Sequence, residues 1–571
     1  MSSSSYQTID TDFEYNFSFD KVNGDLLPDW FLQERVRKLT TSHNDSDDTL
    51  LPDGNCVVYW MQRDMRTKDN HALLLAQAMA QRQQVPLYVC HVLIPGGTPK
   101  SGGSVLPVPM QELPITERYG SFYLGGLQCV YDELKQQKVP LYMVHSKPYG
   151  EVYAPCHHKA VTHAIQEQVL LQHHIRPQLF VLDTSPIRQF RQWHEGFAAN
   201  FQSNIPIWQV DAHNVVPIWY ASPKREYGAR TIRSKLNKLV DDCLQADDYK
   251  KGKIPEFQGN QHIKSLPVEI PNTFDRQSHE AYLNWDTSVP AVQYWKPGTQ
   301  AALHRFDEFV KCGLPKFDQL RNDPNCNRQI CSQLSPYFNL GQLAFATCML
   351  RLQTHNRDAT GKASFIEEGF VRKELSDNFC WYSPHDYDAL STTADWATET
   401  LQIHASDPRE YVYTLQQLEQ GQTHDDLWNA SQLQLVQEGK LHGFLRMYWA
   451  KKILEWTPNP TTALEYAQYF NDHYALDGRC PNGFVGVGWS IMGIHDQGWK
   501  ERDVFGKIRF MNYNGCKRKF KVPEFVQKYP PAAENAAKAQ MKTKGTGEKR
   551  PANDTNGGNN SNKKKTKQVK S

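Results

Sequence analysis

From Cys56 onward, short apolar runs alternate with longer stretches whose apolar residues recur every three or four positions. CVVYWM is followed by TKDNHALLLAQAMAQRQ and then VPLYVCHVL; GGLQCVYDELKQQK leads into VPLYMVHS, AVTHAIQEQVLLQHH into PQLFVLD, and IRQFRQWHEGFAANF into IPIWQVDAHNVVP. Runs rich in β-branched residues and bounded by proline read as buried parallel strands, and the amphipathic stretches between them as right-handed crossover helices. Residues 55–225 are therefore expected to form a doubly wound parallel-sheet α/β domain. A connector follows at 226–289, polar and proline-punctuated from 241 on. Beyond it only the helical period remains, in TQAALHRFDEFVKCGL, LGQLAFATCMLRLQTH, SFIEEGFVRKELSDNFC, LWNASQLQLVQEGKLHGFLRMYWAKKILEW and TALEYAQYFNDHYA. The 290–530 segment is expected to be all-α.

The ends differ from this body. Residues 1–54 carry 11 Asp/Glu against 4 Lys/Arg and are expected to be a flexible acidic lead; 531–571 carry 10 Lys/Arg against 3 Asp/Glu and few large apolar residues, the composition of a disordered basic tail. The two nearly cancel within a net charge of +2, so a basic binding face must come from clustering within the body. Lys549-Arg550 and the later Lys563, Lys564, Lys565 and Lys567 fit a two-part nuclear import signal, or equally a solvated basic tail. A nuclear location is expected, an additional organellar one stays open, and no membrane association is expected because no apolar run approaches the ~20 residues of a spanning helix.

Several chemistries lack their apparatus. No GxGxxG follows the first strand and no GxxxxGK[ST] occurs, which argues against a dinucleotide-dependent dehydrogenase or a P-loop enzyme. Twelve cysteines in 571 residues show no CxxC pair and read as reduced thiols. His157-His158 and His173-His174 have no partners at ligand spacing, so no metal site is expected. No GxSxG or Cys/His nucleophile signature is present.

Other segments carry chemistry at varying strength. CSQLSP (331–336) opens a helix and offers an anion site, against the plainer reading of Ser335 as an N-cap. Trp449 and Trp456 share a helix face two turns apart, with Trp428 in the preceding stretch; aromatics so placed are by default core. Arg446 and Met447 could meet a buried cofactor, or simply snorkel and pack. Glu368 lies on a charged face where a Glu368–Arg372 pair is the ordinary expectation. Seven glycines from Gly483 to Gly515 mark a backbone-defined loop region. It joins Trp489 and Trp499 to an acid-free run with Lys507, Arg509, Lys517, Arg518, Lys519 and Lys521, a mixture that suits a nucleic acid with an exposed base as well as it suits a solvated basic face.

Taken together, VVYWMQRDMR, EYGARTIR, RNDP, SQLSPYFNLGQ, RKELSDNFC, DLWNASQLQLV, GKLHGFLRMYWAKKILEW, LDGRCPNGFVG and HDQGWKERDVFGKIRFMNYNGCKRKF make the chain resemble class II cyclobutane pyrimidine dimer photolyases over about 55–530. The resemblance implies a helical domain that binds FAD, active as FADH−, and a light-driven electron transfer that splits a flipped-out pyrimidine dimer in UV-damaged DNA. Ser332, Leu334 and Ser335 would hold the flavin phosphates, Arg446 and Asp477 the ring edge, and Asn471 would face the flavin. Glu368 would hydrogen-bond the dimer through a protonated or shared-proton state. Trp489 and Met447 would contact the lesion, with Arg321 and Asn322 as further contacts and Arg509, Lys517 and Arg518 on the DNA.

Trp449, Trp428 and Trp456, with Tyr413, resemble the photoreduction chain. For the α/β domain the resemblance leaves open a deazaflavin antenna chromophore, a folate one or none, and a monomer is expected. Lys440-Leu441-His442-Gly443-Phe444 and Val371 depart from class I relatives. A cryptochrome-like photosensor with the same flavin is the alternative function, and a flavin-free DNA-binding module a third.

Overall fold

The computed structural model describes residues 9–39, 50–51, 53–95, 114–150, 152–201, 204–267, 270 and 273–545. The import-signal lysines from 549 to 567 lie outside the described residues.

The apolar runs form five parallel strands: β2 Cys56–Trp60, β3 Leu87–Val92, β4 Leu141–Val144, β5 Pro177–Asp183 and β6 Ile207–Val210. Between them run α1 His71–Gln83, α2 Glu117–Gln136, α3 His158–Ile165 and α4 Arg188–Asn200. All of β2, β3 and β5 is buried, which is why these strands read as continuous rather than alternating runs. Helix starts follow local chemistry. Asn70 accepts the Ala72 and Leu73 N–H groups at the head of α1, and Thr116 accepts Tyr119 N–H at the head of α2. The order β6-β5-β2-β3-β4 reverses between β2 and β5, the doubly wound arrangement expected.

The acidic lead is not wholly flexible. A sixth strand, β1 Val36–Lys38, pairs antiparallel with β6, Val36 opposite Val210. Ahead of it the alternating aromatics of FEYNFSF supply the apolar contacts that acidic composition concealed. Tyr15 is buried under the Arg191 guanidinium and Phe17 stacks on Tyr382. Asn16 N–H donates to Glu195 Oε2 at 2.9 Å, and its carbonyl accepts from Arg37.

The connector begins with a 16-residue helix, Ala229–Leu244, whose Ile232 and Leu236 are buried. Helices then dominate from Thr299 on, among them Pro460–Tyr474 and Pro481–Ile491. The glycine-rich stretch starts as a helix, Pro481–Ile491, with Pro481 at its first turn and Cys480 Sγ accepting the Gly483 N–H. Its glycines serve space: a Cβ on Gly483 would lie 2.8 Å from Asn471 Nδ2 on the adjacent 460–474 helix.

The tail expected to be disordered from 531 also continues as a helix, Pro531–Gly545. Alanine-rich AAENAAKAQ favours helix, and small Ala532 and Ala536 let the backbone sit closely on the Asp426–Glu438 helix, where Asn429 Nδ2 donates to Ala532 O at 3.2 Å.

One hydrophobic cluster runs from Val57 and Tyr59 of the sheet to Phe365, Phe370 and Leu375 of the helical part. Across the same joint, Arg63 at the end of β2 makes a two-pronged buried ion pair with Asp377 at 3.0 and 3.1 Å, and Lys373 reaches Asn214 Oδ1 at 2.6 Å.

Candidate functional site

A cavity of about 850 Å3 lies in the helical part beside this joint. Its lining comes from places that sequence keeps apart: Arg321 and Asn322, the Cys331–Asn339 segment, the turn around Glu368, and the Lys440–Met447 and Pro481–Trp489 helix starts.

At its polar centre sits Asp477. Arg446 Nη2 is 2.9 Å from Oδ1, Lys440 Nζ is 2.9 Å from Oδ2, and Ser335 Oγ donates to Oδ2 at 2.7 Å. Burial alone would raise the Asp477 carboxyl, but Arg446 and Lys440 outweigh it and hold the group well below the usual carboxylate range. Ser335 is therefore not an N-cap. It is the first residue of the short helix Ser335–Asn339, which starts without a side-chain cap. Lys440, which the sequence marks only as a departure from class I relatives, gains no role there because its partner is 37 residues away and no local pattern links them.

Glu368 stands in a π-helical turn, Glu367–Arg372, an expansion that rotates residues off the regular helical face. Gly369 permits it, since a Cβ there would fall 2.0 Å from the Phe345 ring. The expected Glu368–Arg372 pair is absent: Glu368 pairs with Arg321, while Arg372 and Arg233 both bind Glu367. The same turn buries Val371 in the core and puts Arg372 on the cavity.

Trp489 lines the cavity between two cations. Lys451 Nζ is 4.6 Å and the Arg509 guanidinium 5.3 Å from its ring; Arg509 also sits 4.0 Å from the Trp499 ring and makes two hydrogen bonds to Asp496. Burial pushes the Lys451 ammonium down to about 7, with Asp496 opposing and Arg509 adding to the shift. Met447, Ser332, Leu334 and Asn322 all line the cavity.

Three of the residues expected to bind cofactor or DNA do not. Asn471 is buried behind Gly483, with its amide donating to Asp472 Oδ1 at 2.9 Å. Lys517 and Arg518 lie on and just after the short surface helix Tyr513–Lys517, away from the cavity lining.

The aromatic residues form a separate buried file. Trp428 Nε1 donates to the Trp449 carbonyl at 3.0 Å, the Trp428 and Trp456 rings are 5.7 Å apart, and Trp456 is 5.6 Å from Tyr413. Asp425 caps the helix that carries Trp428, and Gly439 in the left-handed conformation (φ 70°) ends it, so Trp428 is fixed at both ends of its element.

His157 and His158 do meet Asp10. Asp10 Oδ2 is 3.5 Å from His158 Nε2, while His157 Nδ1 accepts the Lys159 N–H at 3.2 Å.

A cavity of this size suits a dinucleotide-sized cofactor. Gly486 lines it with no atom within 4 Å of where a Cβ would stand, so the absent side chain leaves room for a planar group. Lys440, beside Ser335, supplies a cation for a pyrophosphate, and Ser332 lines the same space. The residues present fit FAD.

The DNA photolyase family profile matches residues 57–255. The deoxyribodipyrimidine photo-lyase of Potorous tridactylus is 42% identical over 503 residues, covering 88% of this chain and 85% of that one. The enzyme of the same name from Oryza sativa subsp. japonica is 40% identical, covering 83% and 87%. Among solved structures, a class III photolyase from Agrobacterium tumefaciens aligns with a TM-score of 0.56 at 16% identity, covering 86% of this chain and 88% of that one. A Synechocystis cryptochrome aligns at 0.54 and 12%, covering 86% and 89%. Those two likenesses show the shared two-part fold, and the curated relatives, matched over most of their length, carry the assignment further: the chain belongs to the DNA photolyase family.

Proposed function

We propose that this chain repairs cyclobutane pyrimidine dimers in UV-damaged DNA in blue or near-UV light, with FAD in the 850 Å3 cavity. The observation that carries the reading is that one cavity joins the Asp477–Arg446–Lys440 cluster to Glu368, Met447 and Trp489. When bound and reduced, the flavin supplies on excitation the electron that opens the cyclobutane ring and takes it back.

The chain does the rest. Ser332, Leu334 and Ser335, with Lys440, hold the cofactor's phosphates, and the Arg446–Asp477 pair fixes its ring edge. Arg321 and Asn322 receive the flipped lesion, Trp489 and Met447 pack on it, and Glu368 gives it a hydrogen bond once Arg321 turns to the DNA. Flipping costs a few kcal/mol and least at a damaged, weakly stacked site, which gives preference for the lesion over sequence. Arg509, Lys517 and Arg518 hold the backbone. Trp449, Trp428 and Trp456, continuous with Tyr413, return an oxidised flavin to its reduced state. The basic tail serves nuclear import; a fluorescent fusion lacking 546–571 should leave the nucleus if so.

The test is to mix the reduced protein with an oligonucleotide carrying one thymine dimer and follow the return of thymine absorbance in blue light and in darkness. Repair only in light is expected. Bound flavin with no splitting would sink the reading and leave a photosensor.

A further inference from the structure

At the outer end of the aromatic file, Tyr413 stands edge-on to Trp456 with ring centroids 5.6 Å apart. Its hydroxyl is 2.7 Å from His424 Nδ1, and its oxygen accepts the His424 backbone N–H at 3.1 Å. The backbone N–H already donates to the phenol oxygen, and the imidazole is the hydroxyl's other hydrogen-bond partner, so the phenolic proton points to Nδ1 and His424 carries its own proton on Nε2. Burial, reinforced by Lys452, pushes His424 down to about 4, so Nδ1 holds a free lone pair at neutral pH. The ring is held in place: Tyr411 stacks on it at 3.8 Å, and Gln540 of the tail helix donates to the His424 carbonyl at 3.0 Å. A donor and an acceptor 2.7 Å apart are within proton-transfer reach.

We propose that His424 is the proton acceptor that makes Tyr413 the last electron donor of the aromatic file. The inference rests on the reading of Trp449, Trp428 and Trp456 as an electron path. When the Trp456 indole has lost an electron, Tyr413 supplies one, and its phenolic proton crosses the existing hydrogen bond to His424 Nδ1. The O–H bond breaks and an N–H bond forms. Trp456 returns to its closed shell, Tyr413 becomes a neutral radical, and the positive charge passes from the indole to the imidazole. Burial pushes the Tyr413 phenol up to about 12, which closes the route through prior ionisation. Electron loss without an acceptor would leave a phenol radical cation, a far stronger acid than the imidazolium, so passing the proton to His424 makes the oxidation less costly. Lys452 beside Trp456 is answered by Glu455 at 2.5 Å, so no unpaired cation opposes oxidation of that indole.

The test uses flash excitation of the flavin-loaded full chain, with tryptophan and tyrosyl radicals followed by transient absorption in H2O and D2O. In the unaltered protein the tryptophan signal should decay into a tyrosyl signal, more slowly in D2O. Tyr413→Phe should abolish the tyrosyl signal. His424→Phe keeps the ring that stacks on Tyr411 and removes the base, and should slow tyrosyl formation by at least about 100-fold. In the dark, 15N NMR of the imidazoles should show His424 as the Nε2–H tautomer. Tyrosyl formation at the unaltered rate in His424→Phe, equal rates in the two solvents, or an Nδ1–H tautomer would overturn the proposal. The solvent comparison needs no variant, so a misfolded His424→Phe does not remove the test. Absence of any tryptophan radical would overturn the electron path itself, and the proposal with it.

Discussion

Lys451 shows how one side chain ties the cavity to the stability of its walls. It is buried beneath Trp489, donates to the Ser490 carbonyl at 3.0 Å, and its ammonium is pushed from an ordinary 10.5 down to about 7. Between those values the unfolded chain binds a proton that the folded chain does not, so stability rises with pH across that interval. Lys451→Met should abolish that rise and be more stable than the parent near neutral pH; denaturant midpoints at several pH values check both, and parallel curves would disprove the shift. Asp477 has the opposite sign. Its carboxyl is held low by Arg446 and Lys440, so its contribution is complete above the ordinary carboxylate range and fades only as pH falls below it. Asp477→Asn leaves two cations short of a partner and should cost about 3–5 kcal/mol, with flavin lost on gel filtration. What the sequence revealed of these residues is uneven for a physical reason. Arg446, Met447 and the tryptophans of the file stand in the uninterrupted helical stretches Asp426–Glu438 and Gly443–Trp456, whereas the Lys440–Asp477 pair and the Lys451–Trp489 contact exist only because distant elements converge.

At the scale of elements, the sheet and most helices were legible because burial writes a period into the sequence: two faces buried for β2, β3 and β5, one stripe for helices such as Glu117–Gln136. Three features escaped. β1 is three residues long and lies in an acidic context, so neither length nor composition marks it. The π turn at Glu367–Arg372 adds one residue to a helix without altering its overall polarity. The tail helix buries alanines, whose small area gives little hydrophobic signal, and gains its place through close backbone approach and hydrogen bonds from Asn429 and Asn535. Its position over the Asp426–Glu438 helix and His424 predicts a graded truncation result. Removing 546–571 should leave thermal stability unchanged, while removing 531–571 should lower the melting temperature and loosen the Tyr413–His424 pair, seen as faster hydrogen exchange at the His424 amide. Equal stability of the two truncations would show the helix to be peripheral.

For the whole molecule, the near-neutral body means that its DNA-facing charge is a local arrangement and not a global field. On the proposed reading, Arg509 meets DNA from its pair with Asp496, while the exposed Lys517, Arg518 and Lys519 meet phosphates directly. Lys517→Ala with Arg518→Ala should therefore weaken binding to damaged and undamaged DNA alike. The slope of log affinity against log salt should become shallower by about 0.9 for each phosphate that is no longer neutralised. An unchanged slope would place the DNA elsewhere.

The two parts of the fold are expected to behave as one body. Domains joined by small polar interfaces move independently by default, but here the hydrophobic cluster is continuous across the joint and buried charges cross it. Arg63 reaches from the turn after β2 to Asp377, which lies on the same Lys373–Tyr382 helix that continues directly from the turn bearing Glu368. A change at this pair therefore acts on the cavity through the helix that positions it. Arg63→Met removes one partner of a buried pair and should cost about 3–5 kcal/mol. Calorimetry should show one unfolding transition for the parent protein and two for the variant, because the pair fastens one part to the other. The lesion-binding affinity should fall with it, since the Glu368 turn loses its anchor. A single transition at the parent's temperature would mean that the shared apolar core alone unites the two parts, and that the ion pair serves only to satisfy charges buried by that core.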